Sequence, residues 1–261
     1  MNKNVIQVWM KEFKNFDLSK YEIQWANIKS CFWGLFFPKT CVICGNINPY
    51  GICTKCSEKY RIIGEPRCMC CGKPIQDEES ELCYDCVVHE KHFEEGKSLW
   101  IHSESIKQSI HSFKYKNKRI FAETYAQLLV QYYETYIIKW EIDGIIPVPI
   151  HKKRRKVRGY NQSEVLAEKI VEYLEQKVPI YAHVVSRKEQ TRYQKKLDNM
   201  ERRKNLKGVF KTDTNIELPK HVLLIDDIYT TGSTLNELAL ELKKNGVQKV
   251  FFLTISIGQG F

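Results

Sequence analysis

With 261 residues, 43% of them hydrophobic, the chain is long enough to bury one sizeable core, or a core plus a smaller module. Forty-one Lys and Arg against 31 Asp and Glu leave a net charge of +10, which favours polyanions such as nucleic acids or phosphorylated ligands as partners. The opening MNKNVIQVWMKEF lacks a secretory h-region and cleavage site, and the longest early apolar run, CFWGLFF at 31–37, falls far short of the ~20 residues of a membrane span.

The sequence therefore predicts a cytoplasmic protein without a transmembrane segment, its ten cysteines kept reduced. Residues 1–30 are expected to form a helical extension whose Trp9, Phe13, Phe16, Tyr21, Ile23 and Trp25 dock on the chain's own core or on a second subunit.

Next comes a cysteine module over 31–90. Its cysteines pair at a fixed interval, Cys41 with Cys44, Cys53 with Cys56, Cys68 with Cys71 and Cys83 with Cys86, while Cys31 and Cys70 stand apart. Thiolates three positions apart can turn onto one ion, and two such pairs complete the closed tetrahedral set of a structural zinc. The spacing predicts a double zinc ribbon holding two structural Zn2+ ions. Gly45 and Gly72 each follow the second ligand of a pair, where a tight knuckle calls for positive φ.

The remainder, 95–261, alternates strand and helix patterns. IDGIIPVP (142–149), IYAHVVSR (180–187), HVLLIDD (221–227) and KVFFLTISI (249–257) read as strands. NQSEVLAEKIVEYLEQK (161–177) reads as a helix with Asn161 and Glu164 as a capping pair, and STLNELALELKKNG (233–246) as one with a Thr234–Glu237 capping box and Gly246 as its stop. Strands greasy on both faces and separated by helices describe a mostly parallel α/β sheet flanked by helices.

In such sheets the ligand sits at the carboxyl ends of the strands, which is where Asp226 and Asp227 fall. The loop Thr230, Thr231, Gly232, Ser233, Thr234 then leads into a helix N-terminus, whose free amides favour a phosphate. Carboxylates for hydroxyls beside a cradle for an anion suit a sugar phosphate. Two basic stretches, HKKRRKVR (151–158) and RKEQTRYQKKLDNMERRK (187–204), together carry a surplus larger than the entire net charge.

VLLIDDIYTTGST (222–234) resembles, at every position, the phosphoribosyl pyrophosphate (PRPP) signature of type I phosphoribosyltransferases. PVPIHKKRRKVRGYNQSEVLA (147–167), RKEQTRYQKKLDNMERRKNLKGVF (187–210), SIKQSIHSFKYKNKRIFAETYAQLL (105–129) and the ribbons preceded by LFFPKTC (35–41) resemble the ComF, or amidophosphoribosyltransferase-like, competence proteins. That resemblance implies a type I phosphoribosyltransferase-like domain behind the ribbons, with a ribose grip at Asp226 and Asp227, a 5′-phosphate loop at 230–234, and Mg2+ accompanying PRPP.

It also implies that the turn Val148, Pro149 to Lys152 faces pyrophosphate, and that 187–204 is a mobile lid with Arg187, Lys188, Arg192 and Lys195 as its pyrophosphate partners. Handling of incoming single-stranded DNA beside a helicase-type partner follows from the same resemblance, which could bring the protein to the inner face of the membrane. Lys152, Lys153, Arg154, Arg155, Arg158 and Lys114 would follow the DNA backbone, with Tyr115 and Tyr160, and also Phe113 and Tyr193, stacking on bases. A working phosphoribosyltransferase and a non-catalytic PRPP or nucleotide sensor are the alternatives. His102 and His111 fall near the expected hood, where a lone histidine is more often a surface or core residue than a catalyst.

Overall fold

The computed structural model describes residues 39–77, 79–188 and 208–258. The expected extension at 1–30, Cys31, and the lid residues Arg192, Tyr193 and Lys195 lie outside them.

Each cysteine pair that closes a ribbon opens a short helix, α1 at Thr54–Lys59 and α2 at Tyr84–Val88. The α/β part then runs β1 Glu95–Ile101, α3 Glu104–Tyr115, α4 Phe121–Lys139, β2 Gly144–Pro147, α5 Lys152–Arg158, α6 Gln162–Tyr173, β3 Val185–Arg187, β4 Phe210–Thr212, β5 His221–Tyr229, α7 Ser233–Lys244 and β6 Lys249–Ile257. The main sheet has the order β1-β6-β5-β2 and is parallel throughout, with Asp226 beside Thr254 and Pro147 beside Ile225.

The alternation along β5 divides the core. Leu223 and Ile225 face a cluster with Tyr125 and Leu129 of α4 and Leu166 and Ile170 of α6. Val222 and Leu224 face a second cluster with Leu235, Leu238 and Leu242 of α7. An all-apolar run is what a strand covered on both sides requires.

Four expectations change. The stretch 180–187 does not join the main sheet as a strand: Ile180 makes one parallel bridge to Ile145, the chain turns, and only Val185–Arg187 pairs, antiparallel, with β4. The helix expected to 177 ends at Tyr173, with Leu174 already extended at ψ 136° ahead of Pro179. Asn161 caps it alone, accepting from the Ser163 amide at 3.2 Å, because Glu164 is drawn to Arg155. The Thr234–Glu237 box does not form either: Gly232 is the N-cap and Glu237 accepts from the Gly208 amide at 2.6 Å.

β1, hidden by its Glu, Gly, Lys and Ser, is the edge strand next to β6. Ser98 meets the Thr254 hydroxyl at 2.6 Å, the buried Tyr133 hydroxyl donates to the Ser98 carbonyl at 2.7 Å, and Lys97 pairs with Glu95 at 2.6 Å. Paired in this way, buried polar groups are tolerated.

Both ribbons are docked on this body. In the first, Val42 enters the α4 cluster and its carbonyl accepts from Ser109 of α3. In the second, the Gly96 amide of β1 donates to the Cys70 carbonyl at 2.8 Å, and Cys68, Cys71 and Cys83 belong to the α7 cluster. Among the described residues, no helix is long and apolar enough to cross a membrane.

Candidate active site and metal centres

The two cysteine sets assemble as the spacing predicts. In each of Cys41, Cys44, Cys53, Cys56 and Cys68, Cys71, Cys83, Cys86 the four sulfurs lie within 4.8 Å of one another. Cys44 and Cys53 are 3.7 Å apart and Cys71 and Cys83 3.6 Å. Ligand bonds of ~2.3 Å at tetrahedral angles put sulfurs ~3.8 Å apart, so both sets fit Zn2+ and leave no open position for catalysis. Gly45 and Gly72 take the expected positive φ, 79° and 73°. Lys73, buried beside the second set, pairs with Asp85 at 2.6 Å.

At the far end of β5 the strand outlasts the expected 227, because Ile228 and Tyr229 still pair with Ser256 and Ile257. Asp227 is buried. Its Oδ1 meets Lys114 Nζ of α3 at 2.7 Å and its Oδ2 accepts from Gln162 Nε2 at 2.7 Å. Asp226 uses one oxygen, Oδ1, to accept from the Asp227 amide at 2.8 Å and the Ser163 hydroxyl at 3.2 Å. Burial, and then the neighbouring Asp227 charge, push the Asp226 carboxyl up to about 7, against the pull of the Asp227 amide, Lys114 and Ser163. Near neutral pH it can accept a hydrogen bond from a hydroxyl or donate one.

The start of α6 therefore holds the acids, a role that sequence reasoning gave only to a helix cap. Asn161 also donates to the Val148 carbonyl at 3.1 Å, and the Val148 amide donates to the Ile225 carbonyl at 2.9 Å. This ties the 148–152 turn to the strand that carries the acids. Val148 and Pro149 are buried there and Lys152 is exposed.

Gly232, at φ 72°, turns the chain from β5 into α7. A Cβ there would stand 2.3 Å from the Tyr229 hydroxyl, so the loop is folded flat on that ring. Tyr229 is itself stacked on Phe252 at 5.1 Å and edge-on to Phe93 at 6.2 Å. Thr231 and Ser233 share a hydroxyl contact of 2.7 Å, Thr230 is exposed and Thr234 half-buried at the first turn of α7. The amides of that turn and the positive helix end are groups suited to an anion.

Of the expected lid, Arg187 lies over the Phe210 ring at 5.6 Å and Lys188 is tied by its amide to the Val209 carbonyl at 2.8 Å. The small sheet that carries them is anchored on α7, where Glu241 accepts from the Thr212 amide at 3.1 Å.

The nucleic-acid set divides. Lys114 is committed to Asp227. Tyr160 is buried, its hydroxyl donates to the Phe113 carbonyl and Arg119 covers its ring at 4.5 Å, while Phe113 is fully buried. Neither ring can receive a base, because both close the gap between α3 and α6. Arg155 is held by both oxygens of Glu164 at 3.0 Å, and Arg158 by Gln162 at 2.7 Å and the Tyr115 hydroxyl at 2.8 Å. Half of Tyr115 stays exposed, packed on Arg158 and His111. Lys152 and Lys153 are exposed and Arg154 half-buried on α5, a helix with no buried residue. His102 contacts Ser256 at 3.0 Å, and burial followed by Lys114 lowers its pKa, so it is a neutral packing residue.

Residues 32–87 match the double zinc ribbon domain family and residues 159–256 the phosphoribosyl transferase domain family. Competence protein F of Haemophilus influenzae is 32% identical over 224 residues, 82% of this chain and 95% of that protein. The DNA utilization protein YhgH of Escherichia coli K12 is 28% identical over 226 residues, 83% of this chain and 96% of its own. Competence protein ComFC of Streptococcus pneumoniae is 27% identical over 205 residues, 76% and 84% of the two chains. With the paired cysteine sets, the parallel sheet and the acid pair above the glycine loop, these similarities place the chain in the ComF family of competence proteins, a double zinc ribbon joined to a phosphoribosyltransferase domain.

Proposed function

We propose that this protein acts in natural transformation, handling incoming single-stranded DNA in the cytoplasm, with a phosphoribosyl ligand of the PRPP type bound at β5 and α7. The observation that carries the reading is the acid pair: Asp226 and Asp227 are held side by side by Gln162 and Ser163, at the strand end that leads into the Gly232 loop. The 5′-phosphate sits on residues 230–234, the ribose hydroxyls on the acids, and the pyrophosphate between the 148–152 turn and the segment that starts at Arg187 and Lys188, with Arg192 and Lys195 further along it. Displacement at the anomeric carbon builds positive charge on the sugar, so carboxylates below it and cations on the leaving group are the groups such a transfer needs. Mg2+, when bound, would neutralise leaving-group charge. Among the acids it would meet Asp226 first, because both oxygens of Asp227 are engaged.

The names of the relatives, competence and DNA utilization, support the DNA role, and α5 supplies its physical basis. Lys152, Lys153 and Arg154 lie on a seven-residue helix that has six bases and no acid, beside half-exposed Tyr115. A helicase-type partner would bring the protein to the inner face of the membrane.

The test is fluorescence anisotropy with a labelled oligonucleotide over a salt series. Neutralising Lys152, Lys153 and Arg154 together should lower the slope of log K against log salt by about 2, at ~0.7 per phosphate lost. An unchanged slope sinks the DNA assignment. PRPP binding by the same variant should persist, with pyrophosphate affinity reduced through Lys152.

A further inference from the structure

We propose that Lys114 is a built-in cation of the ribose site, supplying at the acid pair charge that a divalent metal would otherwise supply and keeping metal off Asp227. The inference rests on the phosphoribosyl reading for its ligand, but not for its metal chemistry.

The geometry is that of a fixed internal ion pair. Lys114 Nζ is 2.7 Å from Asp227 Oδ1, and only 16% of the lysine side chain and 7% of the aspartate side chain are exposed. A surface lysine seldom holds one geometry, but both chain neighbours of this one are tied down. Phe113 is fully buried and its carbonyl accepts from Tyr160, while the Tyr115 hydroxyl accepts from Arg158. The ammonium is therefore delivered to the acids by the same packing that joins α3 to the start of α6.

Gln162 occupies the other oxygen of Asp227 at 2.7 Å. A metal ion could ligate Asp227 only by displacing the largely covered Lys114 ammonium or the buried Gln162 amide, each of which would lose its partner. An ammonium this close repels a second cation approaching the same carboxylate.

Two titrations on the zinc-loaded full chain test this. Both use magnesium-free buffer without chelator, so that the ribbons keep their metal. In the first, Mn2+ alone is added and free Mn2+ followed by electron paramagnetic resonance. Lys114→Gln should bind Mn2+ at least about tenfold tighter than wild type, Lys114→Arg should behave as wild type, and adding Asp227→Asn to Lys114→Gln should abolish the gain. Equal Mn2+ affinity in wild type and Lys114→Gln overturns the proposal, as does a gain in Lys114→Arg, where the charge persists.

In the second, PRPP is titrated calorimetrically with and without Mg2+. Omitting Mg2+ takes it from the pyrophosphate in both proteins alike, so it should weaken PRPP binding by Lys114→Gln at least about tenfold more than binding by wild type. The same Mg2+ dependence in both proteins refutes the role. If no protein binds PRPP in either buffer, the phosphoribosyl reading fails, and the Mn2+ titration still decides what Lys114 does.

Discussion

Replacing Gly232 by Ala tests the loop through its geometry. Two costs add there. At φ 72° a non-glycine residue sits in the left-handed region, at about 1–2 kcal/mol. The new Cβ would also stand 2.3, 2.4 and 2.6 Å from Oη, Cζ and Cε2 of Tyr229. That ring cannot step aside, because it is stacked on Phe252 and met edge-on by Phe93, so overpacking adds about 1–3 kcal/mol.

Gly246, which ends α7 at φ 100°, provides the control, since a Cβ there meets nothing within 4 Å. Gly246→Ala should therefore lose only the conformational part. Urea denaturation followed by tryptophan fluorescence should place Gly232→Ala about 1–3 kcal/mol below Gly246→Ala, and only the former should lose PRPP affinity. If the two variants unfold together, the loop is not folded on the Tyr229 ring as described.

Other consequences can be checked separately. Tyr160→Phe removes the buried donor to the Phe113 carbonyl, so it should cost about 1–3 kcal/mol in urea while DNA affinity stays unchanged. The Asp226 carboxyl, at about 7 when folded against 3.8 otherwise, binds its proton more tightly in the folded state. Its contribution to stability is thus fully present below about pH 4, falls as pH rises to about 7 and is flat above that. Asp226→Asn should be more stable than wild type at pH 8, by no more than about 4 kcal/mol, and the difference should vanish at low pH. Metal analysis should return two zinc ions per chain. Cys71→Ser should weaken PRPP binding as well as releasing metal, because the second cysteine set shares the Phe93, Tyr229 and Phe252 cluster with the loop. An unaltered PRPP affinity after zinc release would separate the ribbon from the site.

Where local chemistry determines structure, the sequence was readable. The cysteine intervals place all eight ligands because two thiolates three apart need little else, β5 and β6 follow from apolar runs covered on both faces, and α7 from the apolar stripe Leu235, Leu238, Ala239 and Leu242. β1 escaped because its polar groups are satisfied by Thr254 and Tyr133, far away in the chain. For the same reason Lys114 read as a nucleic-acid contact: its partner Asp227 comes close only once α3 docks against α6. Tyr160 and Phe113 sit among lysines and arginines in sequence yet in the core in space, and a list of neighbours along the chain cannot separate stacking aromatics from packing ones. The cap of α6 was recognised, but nothing in NQS announces that Gln162 and Ser163 reach across to two acids.

The most direct test of the site is calorimetric titration of PRPP into wild type and into the variant carrying Asp226→Ala with Asp227→Ala. A grip through both acids predicts binding by the wild type and a loss of more than about tenfold in the variant, with the zinc content unchanged, at about 1.5 kcal/mol or more for each hydrogen bond to a charged group. Equal affinity in the two proteins would contradict the account, and would move the phosphoribosyl ligand away from the end of β5.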